Sequence, residues 1–392
     1  MTPSARLQAV IEILALGGGE PLDRQLKGWF RGHRFAGAKD RRAITERVYG
    51  IFRHQAHFAH RMASQEPRAL TIASLLAEGE DPDALFNGGY GPAPLTPAER
   101  EAIARPPQAM PAWVEDEYPA WLESDLTRAF GERINQEMQA FQLRAPVDLR
   151  VNRLKADRAD VAAALDQSGI AAIPIANLPD ALRCPPGVAL TDHPLFQSGA
   201  FEIQDASAQR IVGLCGAEPG MRVLDLAAGA GGKSLALAAA MGNKGEIVAC
   251  DIRGAALAEL ERRAGRAGAN IIRTHILGTP PAGPFDLVLL DAPCSGSGTW
   301  RRQPELKWRL TPHRLAQLCE TQDHLLTVAA QVAAARLVYV TCSILPRENE
   351  DRIENFLARQ ARYRRRQADF HATPAQGDGD GFYAAVLARE DF

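Results

Sequence analysis

The stretch "MRVLDLAAGAGGKSLALAAAMGNKGEIVACDI", Met221–Ile252, decides the fold. It opens with a short apolar run suited to a buried strand, turns through glycines, continues as an alanine- and leucine-rich helix and ends in a second strand. Gly242 is expected to stop the helix. Downstream the alternation persists. "AALAELERRAGRAG" predicts a helix, "FDLVLLDAP" a strand, Pro312 to Arg336 a long helix, "LVYVTCS" a strand, "ENEDRIENFLARQ" a helix and "GFYAAVLAR" a last strand. Such alternation predicts an α/β fold with a doubly wound, Rossmann-like sheet, in which ligands bind beyond the carboxyl ends of the strands. Asp225, Asp251, Asp291, Cys294 and Cys342 all fall at or just past such ends, so one crevice is expected to gather them.

The glycine turn separates three readings. A phosphate-binding P-loop needs a glycine where Ala227 stands, and a dinucleotide fingerprint starts at Gly229 and Gly231 but meets Ser234. Both phosphate readings are weakened. The third lets the backbone approach a nucleoside-bearing ligand that has no pyrophosphate, with Asp251 at the end of the next strand accepting the two ribose hydroxyls. S-adenosylmethionine suits that description. A plain tight turn with a capping acid is the bland alternative.

Upstream of the sheet, "VDLRVNRLK" alternates as a strand, "ADVAAALDQSGI" follows as a helix and "AAIPIA" as a short strand, making a small β-α-β piece. "GAFEIQDASAQRIVGLCG" predicts a strand and then a helix capped by Asp205 or Ser207. Up to about residue 145 the chain lacks β-branched runs and is expected to be helical, with a continuous helix beginning at an Asp40 cap and running to Met62. Three parts are therefore expected: a helical domain over 1–145, a small α+β subdomain over 146–212 and the Rossmann-like domain over 213–392.

The chain has 392 residues and a net charge of −2, so the molecule as a whole offers no basic field. Charge is uneven, however: Arg24, Lys27, Arg31, Arg34, Lys39, Arg41, Arg42, Arg47, Arg53 and Arg61 are opposed locally only by Asp23, Asp40 and Glu46. Such a stretch suits phosphates or is simply a solvated helix face. The triplet His54, His57 and His60 lacks a completing carboxylate or thiol, so no metal site is expected there. No apolar run reaches the roughly 20 residues of a membrane helix, and the amino-terminal stretch resembles an amphipathic helix, not a signal peptide. The six cysteines form no C-x-x-C pair, so a zinc site is not indicated and reduced thiols in a cytoplasm are expected.

Two of those cysteines end apolar runs, in "DAPCSGSGTWRRQPELKW", Asp291–Trp308, and "VYVTCSILPRENED", Val338–Asp351. Taken alone, each is more often a small buried hydrophobe than a catalyst. One chemistry uses them together. Carbon 5 of cytosine is a poor nucleophile until a thiolate adds to carbon 6. The enamine so formed attacks a sulfonium methyl group, and loss of the carbon-5 proton and of the thiol completes the exchange. Asp291 is placed to meet the N3 and N4 edge of the base.

These two stretches resemble the paired signatures of RNA cytosine-5 methyltransferases of the Sun/RsmB type. "PVDLRVNRLK", "FEIQDASAQ", "VLDLAAGAGGKS" and "DGFYAAVLAR" extend the resemblance over about residues 145 to 392, and "DRRAITERVYGIFR" resembles a NusB-like, RNA-binding helical domain. The resemblance implies Cys342 as nucleophile, Cys294 as the thiol that promotes product release, Asp291 at the base and Lys233 reaching the active centre. It also implies that Ala227, Ala228, Gly229, Ala230, Gly231, Gly232 and Lys233 wrap the methionine end of S-adenosylmethionine, with Asp251 on the ribose and Asp291 nearby. Ala227 and Ala230 stand where the family usually has cysteine and proline. In "THILGTPPAGPFD" no acid stands near Leu277 and Gly278, where the family commonly has one by the adenine, so weaker cofactor binding is expected. The activity implied is 5-methylcytosine formation in RNA, with 16S ribosomal RNA favoured over transfer RNA; no metal is expected, and a monomer is taken as the default. A catalytically silent RNA-binding assembly factor is the other class; a P-loop hydrolase fails on Ala227.

Overall fold

In a computed structural model of the protein, residues 1–17, 19–278, 281–377 and 379–390 are described. They divide into two compact units: Met1–Leu143 with Trp300–Leu310, and Arg144–Thr299 with Thr311–Phe392.

The first unit is helical. Helices Pro3–Ala15, Leu22–Gly32, Ala38–Arg53, Gln55–Met62 and Pro67–Ala77 enclose a core that includes Val10, Ile13, Leu22, Ile44, Val48, Ile51, Ile72 and Leu75. Two expectations need correction. Asp40 lies inside its helix: the cap is Gly37, whose N–H donates to Asp40, and the carboxylate also receives Arg6 at 2.8 Å. The helix expected to run to Met62 breaks at His54. There the Glu117 carboxylate accepts from the N–H groups of Ala56 and His57 at 3.0 and 2.9 Å, starting a new helix where the old one ends. The three histidines therefore do not share one helix, and burial pulls the His54 pKa down to about 4.

The segment Trp300–Leu310, expected within 213–392, packs with these helices. Lys307, buried, donates to the Glu117 carbonyl at 2.9 Å, the Trp308 indole donates to the Phe52 carbonyl at 2.7 Å, and Trp300 meets Phe141 edge-on. These partners lie about 160 to 260 residues away in sequence, so local pattern gives no sign of them.

The second unit holds two sheets. Strands β1 (Val147–Val151), β2 (Ile173–Pro174), β3 (Ala181–Cys184) and β4 (Phe201–Ile203) form an antiparallel sheet in the order β2-β3-β1-β4, with helix Arg158–Gln167 between β1 and β2. β3 was not expected. Asp205 caps helix Ala206–Cys215, its carboxylate accepting from Ser207 N–H.

The larger sheet is built from β5 (Arg222–Leu226), β6 (Glu246–Asp251), β7 (Ile272–Ile276), β8 (Phe285–Asp291), β9 (Ala333–Thr341), β10 (Tyr363–Arg365), β11 (Phe370–Ala372) and β12 (Phe382–Arg389). Its order is β10-β12-β9-β8-β5-β6-β7, with β11 beside β12. β5 to β9 run parallel and β12 runs antiparallel to β9. The Rossmann-like α/β expectation holds, although β7, β10 and β11 escaped the sequence reading. The long helix ends at Val332, and Ala333–Arg336, expected as its last turn, begins β9 instead. Arg336 pairs with Leu287 of β8 in that register, so the sheet overrides the helical preference of "AAAR". The order reverses at β5, whose neighbours β6 and β8 leave a crevice at their carboxyl ends.

Candidate active site

That crevice is a cavity of about 770 Å³, within the range of small-molecule sites. Its lining includes Ala227, Ala228, Gly229, Ala230, Gly232, Lys233, Asp251, Asp291, Cys294 and Cys342. The structure thus brings together the expected site residues except Asp225 and Gly231, which are not among the lining residues. A Cβ on Gly231 would come within 2.4 Å of Leu260, and its φ is +78°. Asp225 does not face the cavity, contrary to expectation. It is fully buried and accepts from the Ser234 hydroxyl, and burial pushes its pKa up to about 7.

The turn after β5 is held from both sides. Ala227 and Ala228 N–H donate to the Cys250 carbonyl at 3.0 and 2.7 Å, with Ala227 in the left-handed region at φ +79°. Arg263 donates to the Ala230 carbonyl at 2.6 Å. Asp251, ending β6, accepts from Gly229 N–H at 2.9 Å and from Arg253 N–H at 2.8 Å, while the Arg253 guanidinium reaches both carboxylate oxygens. Burial alone would raise the Asp251 pKa, but these donors outweigh it and hold the carboxyl below its usual range.

At the other end of the cavity Lys233 donates to Asp291 at 2.7 Å. Burial works against the ammonium, yet the Asp291 charge and hydrogen bond leave its pKa above the ordinary value. Cys294, in the loop after β8, and Cys342, just after β9, place their sulfurs 3.4 Å apart. The hydrogen bond that Cys294 gives to Cys342, burial and the charges around it raise the Cys294 pKa well above the usual thiol range. The Cys294 loop is anchored by glycine packing: a Cβ on Gly298 would come within 1.9 Å of the Gly381 carbonyl oxygen, and Gly381 N–H donates to the Gly298 carbonyl at 2.7 Å. This contact accounts for the glycine in "DGFYAAVLAR".

The sequence reading missed Gln204, Arg253, Arg314, Leu318, Thr321 and Leu325, which also line the cavity. Gln204 stands in the quoted "FEIQDASAQ". The residues on helix Pro312–Val332 carry no local signal of their role. Leu277 faces the cavity as an apolar wall. Part of "THILGTPPAGPFD", Thr279 and Pro280, lies outside the described residues. Among the described residues, no group of three or more His, Cys, Asp or Glu converges as metal ligands, and no helix is long and apolar enough to cross a membrane.

The model of the family described as 16S rRNA methyltransferase RsmB/F matches residues 214–388, and that of an RsmF/B-like, ferredoxin-like domain matches 118–190. Residues 214–388 thus belong to the RsmB/F methyltransferase family. The chain is 34% identical over 292 residues to ribosomal RNA small subunit methyltransferase B of Serratia proteamaculans, covering 69% of this chain and 66% of that protein. Against the probable enzyme of that name from Synechocystis the identity is 34% over 280 residues, covering 69% and 62%. The chain spans just under two thirds of the length of these relatives. Among solved structures, PH0851 shares the fold over 99% of both chains with a TM-score of 0.82 at 24% identity. A methyltransferase homolog protein from Pyrococcus horikoshii covers 71% of this chain and 97% of its own, with a TM-score of 0.62 at 25% identity.

RsmB/F methyltransferases take S-adenosylmethionine, and the residues present fit it. Glycine and alanine backbone leaves room beside the β5 turn, Asp251 ends β6 with a carboxylate of the kind that accepts a ribose diol, and Ile252 and Leu277 line the cavity with apolar surface suited to a purine.

Proposed function

We propose that this protein is an S-adenosylmethionine-dependent RNA methyltransferase that forms 5-methylcytosine, with 16S ribosomal RNA as substrate. One observation carries this reading: two thiols from separate strand ends lie 3.4 Å apart in the cavity that also holds the Lys233–Asp291 pair and the β5 glycine turn. A methyltransferase acting on oxygen or nitrogen has no use for paired thiols there; activation of a pyrimidine carbon does.

In this reading S-adenosylmethionine supplies an electrophilic methyl group beside the β5 turn. The target cytosine must leave its stack to enter the cavity. Asp291, steadied by Lys233, meets the N3 and N4 edge. The Cys342 sulfur, as thiolate, bonds to carbon 6, and the electron pair displaced to carbon 5 takes up the methyl group. The carbon-5 proton then departs to a base, the carbon 6–sulfur bond breaks and Cys342 leaves as thiolate. Cys294, held as a thiol, stands within reach of Cys342 to assist that breakdown. The helical region, which we read as NusB-like, and the small subdomain are proposed to grip RNA through phosphates and shape.

Covalent trapping tests the reading. Wild type, Cys294→Ala and Cys342→Ala are incubated with S-adenosylmethionine and unmodified small-subunit ribosomal RNA. A denaturation-resistant protein–RNA adduct is expected to accumulate with Cys294→Ala and to be absent with Cys342→Ala. Methyl transfer surviving in Cys342→Ala would overturn the mechanism. Cofactor binding without transfer to ribosomal or transfer RNA would favour the assembly-factor reading, in which the acid missing near Leu277 has its consequence.

A further inference from the structure

The two thiol loops are joined by a carboxylate that the chemistry above does not use. Glu348 is fully buried just after the Cys342 loop, and among the described residues no lysine or arginine is a hydrogen-bond partner of it. Its Oε1 accepts from Ser295 N–H at 2.8 Å and from the Gln322 amide at 3.1 Å. Its Oε2 accepts from the Ser295 hydroxyl and from the Ser343 hydroxyl at 2.6 Å. Ser295 follows Cys294 and Ser343 follows Cys342, so one side chain grips the neighbour of each thiol.

The surrounding hydrogen bonds all point inward. Leu345 N–H and the Ser297 hydroxyl approach Ser343 Oγ, at 3.0 and 2.9 Å, and the Ser343 hydroxyl donates its own hydrogen bond to Glu348. Ile344 N–H donates to Ser297 Oγ at 3.0 Å, and Ser297 N–H to Ser295 Oγ at 3.2 Å. The Gln322 amide also donates to the Pro293 carbonyl, one residue before Cys294. Four donors converge on two oxygens, and an acceptor-only carboxylate satisfies them all where an amide or an apolar group cannot. Burying such a group without a cation costs stability unless its hydrogen bonds are complete, as they are here. What it uniquely supplies is a fixed relation between two loops from different strand ends.

We infer that Glu348 is the positioning residue of this site, locking the Cys294 and Cys342 loops together so that the two sulfurs stay in contact through addition and release. This rests on the reading of those thiols as the reacting groups. The Glu348 charge also contributes to the raised pKa of Cys294, which keeps that group a thiol beside the leaving Cys342.

The test uses the full chain as wild type, Glu348→Gln and Ser295→Ala, each with a melting curve. Three readouts are taken: methyl transfer to small-subunit RNA, the pH profile of Cys294 alkylation by iodoacetamide, and the rate at which diamide, gaining two hydrogens, closes a Cys294–Cys342 disulfide identified by peptide mass. Glu348→Gln is expected to lower kcat by roughly tenfold or more with KM for RNA little changed, since misplacement of reacting groups acts on the chemical step. Disulfide closure should slow in parallel, and the Cys294 alkylation profile should move to lower pH. Ser295→Ala should show a smaller change in closure with the profile unmoved, because the carboxylate remains; it also carries the test if Glu348→Gln does not fold. Wild-type closure rate and profile in Glu348→Gln, or wild-type closure in Ser295→Ala where that variant stands alone, would overturn the proposal. If wild type methylates no RNA, the cytosine reading fails, while closure and alkylation still decide whether Glu348 positions the thiols.

Discussion

Asp251 and Arg253 occupy the place where a ribose is expected, and their contacts predict how binding responds to substitution. The carboxylate is already saturated by the Gly229 and Arg253 donors, so a diol must displace the guanidinium to be held. The guanidinium is solvent-exposed although the carboxylate is buried, and an ion pair screened on one side in this way contributes on the order of 0–1 kcal/mol. Arg253→Ala is therefore expected to tighten S-adenosylmethionine binding by no more than roughly fivefold. Asp251→Asn should weaken it by about 10- to 100-fold, the worth of hydrogen bonds to a charged acceptor. Titration calorimetry of both variants checks the pair of expectations, and equal effects of the same sign would contradict the assignment. Asp225, one strand over, behaves differently. Its folded pKa of about 7 lies above the ordinary 3.8, so between those values the folded chain holds a proton that the unfolded chain has released. Stability should fall as pH rises through that window, by up to about 1.4 kcal/mol per pH unit. Urea unfolding of Asp225→Asn from pH 4 to 8 should show that slope flattened, the variant gaining on wild type as pH rises from 4 to about 7 and the difference levelling off above it.

At the scale of elements, the β5 turn is where backbone conformation decides function. Gly231 combines φ +78° with a Cβ position that overlaps Leu260, on the helix that follows β6. Gly231→Ala must strain the turn or push that helix away, at about 1–3 kcal/mol. A lowered melting temperature together with weakened S-adenosylmethionine binding is expected, and a variant that melts lower yet binds as wild type would separate the turn from the cofactor. This turn was legible in the sequence because glycine spacing is a local signal, as were both thiol loops, each following an apolar strand. The short strands β7, β10 and β11 were not: three to five residues with exposed positions carry no periodicity of their own, and only pairing with β6 or β12 defines them. In the sequence Glu348 reads only as the first residue of the helix "ENEDRIENFLARQ", since its partners on Ser295 and Gln322 are invisible to local pattern.

For the molecule as a whole, a net charge of −2 hides an uneven surface. In the helical unit Arg47 is spent on Glu78 and Glu80, and Arg61 on the carbonyls of Ala102 and Ile103. Arg24, Lys27 and Arg31 differ: they stand on the exposed side of helix Leu22–Gly32, at spacings of three and four, opposite the buried Leu22, Leu26 and Trp29. A stripe of that spacing follows one helix face and can meet successive phosphates. If RNA is the substrate, each phosphate contact made there releases counterions and contributes about 0.7 to 0.9 to the slope of log affinity against log salt. Replacing all three by glutamine should weaken binding to small-subunit RNA most at low salt and reduce that slope by about 2 to 3. Binding isotherms of wild type and the triple variant across a salt series measure it. An unchanged slope would make the stripe a solvated face, and an affinity loss independent of salt would point to a damaged helix, which the melting curve of the variant would reveal.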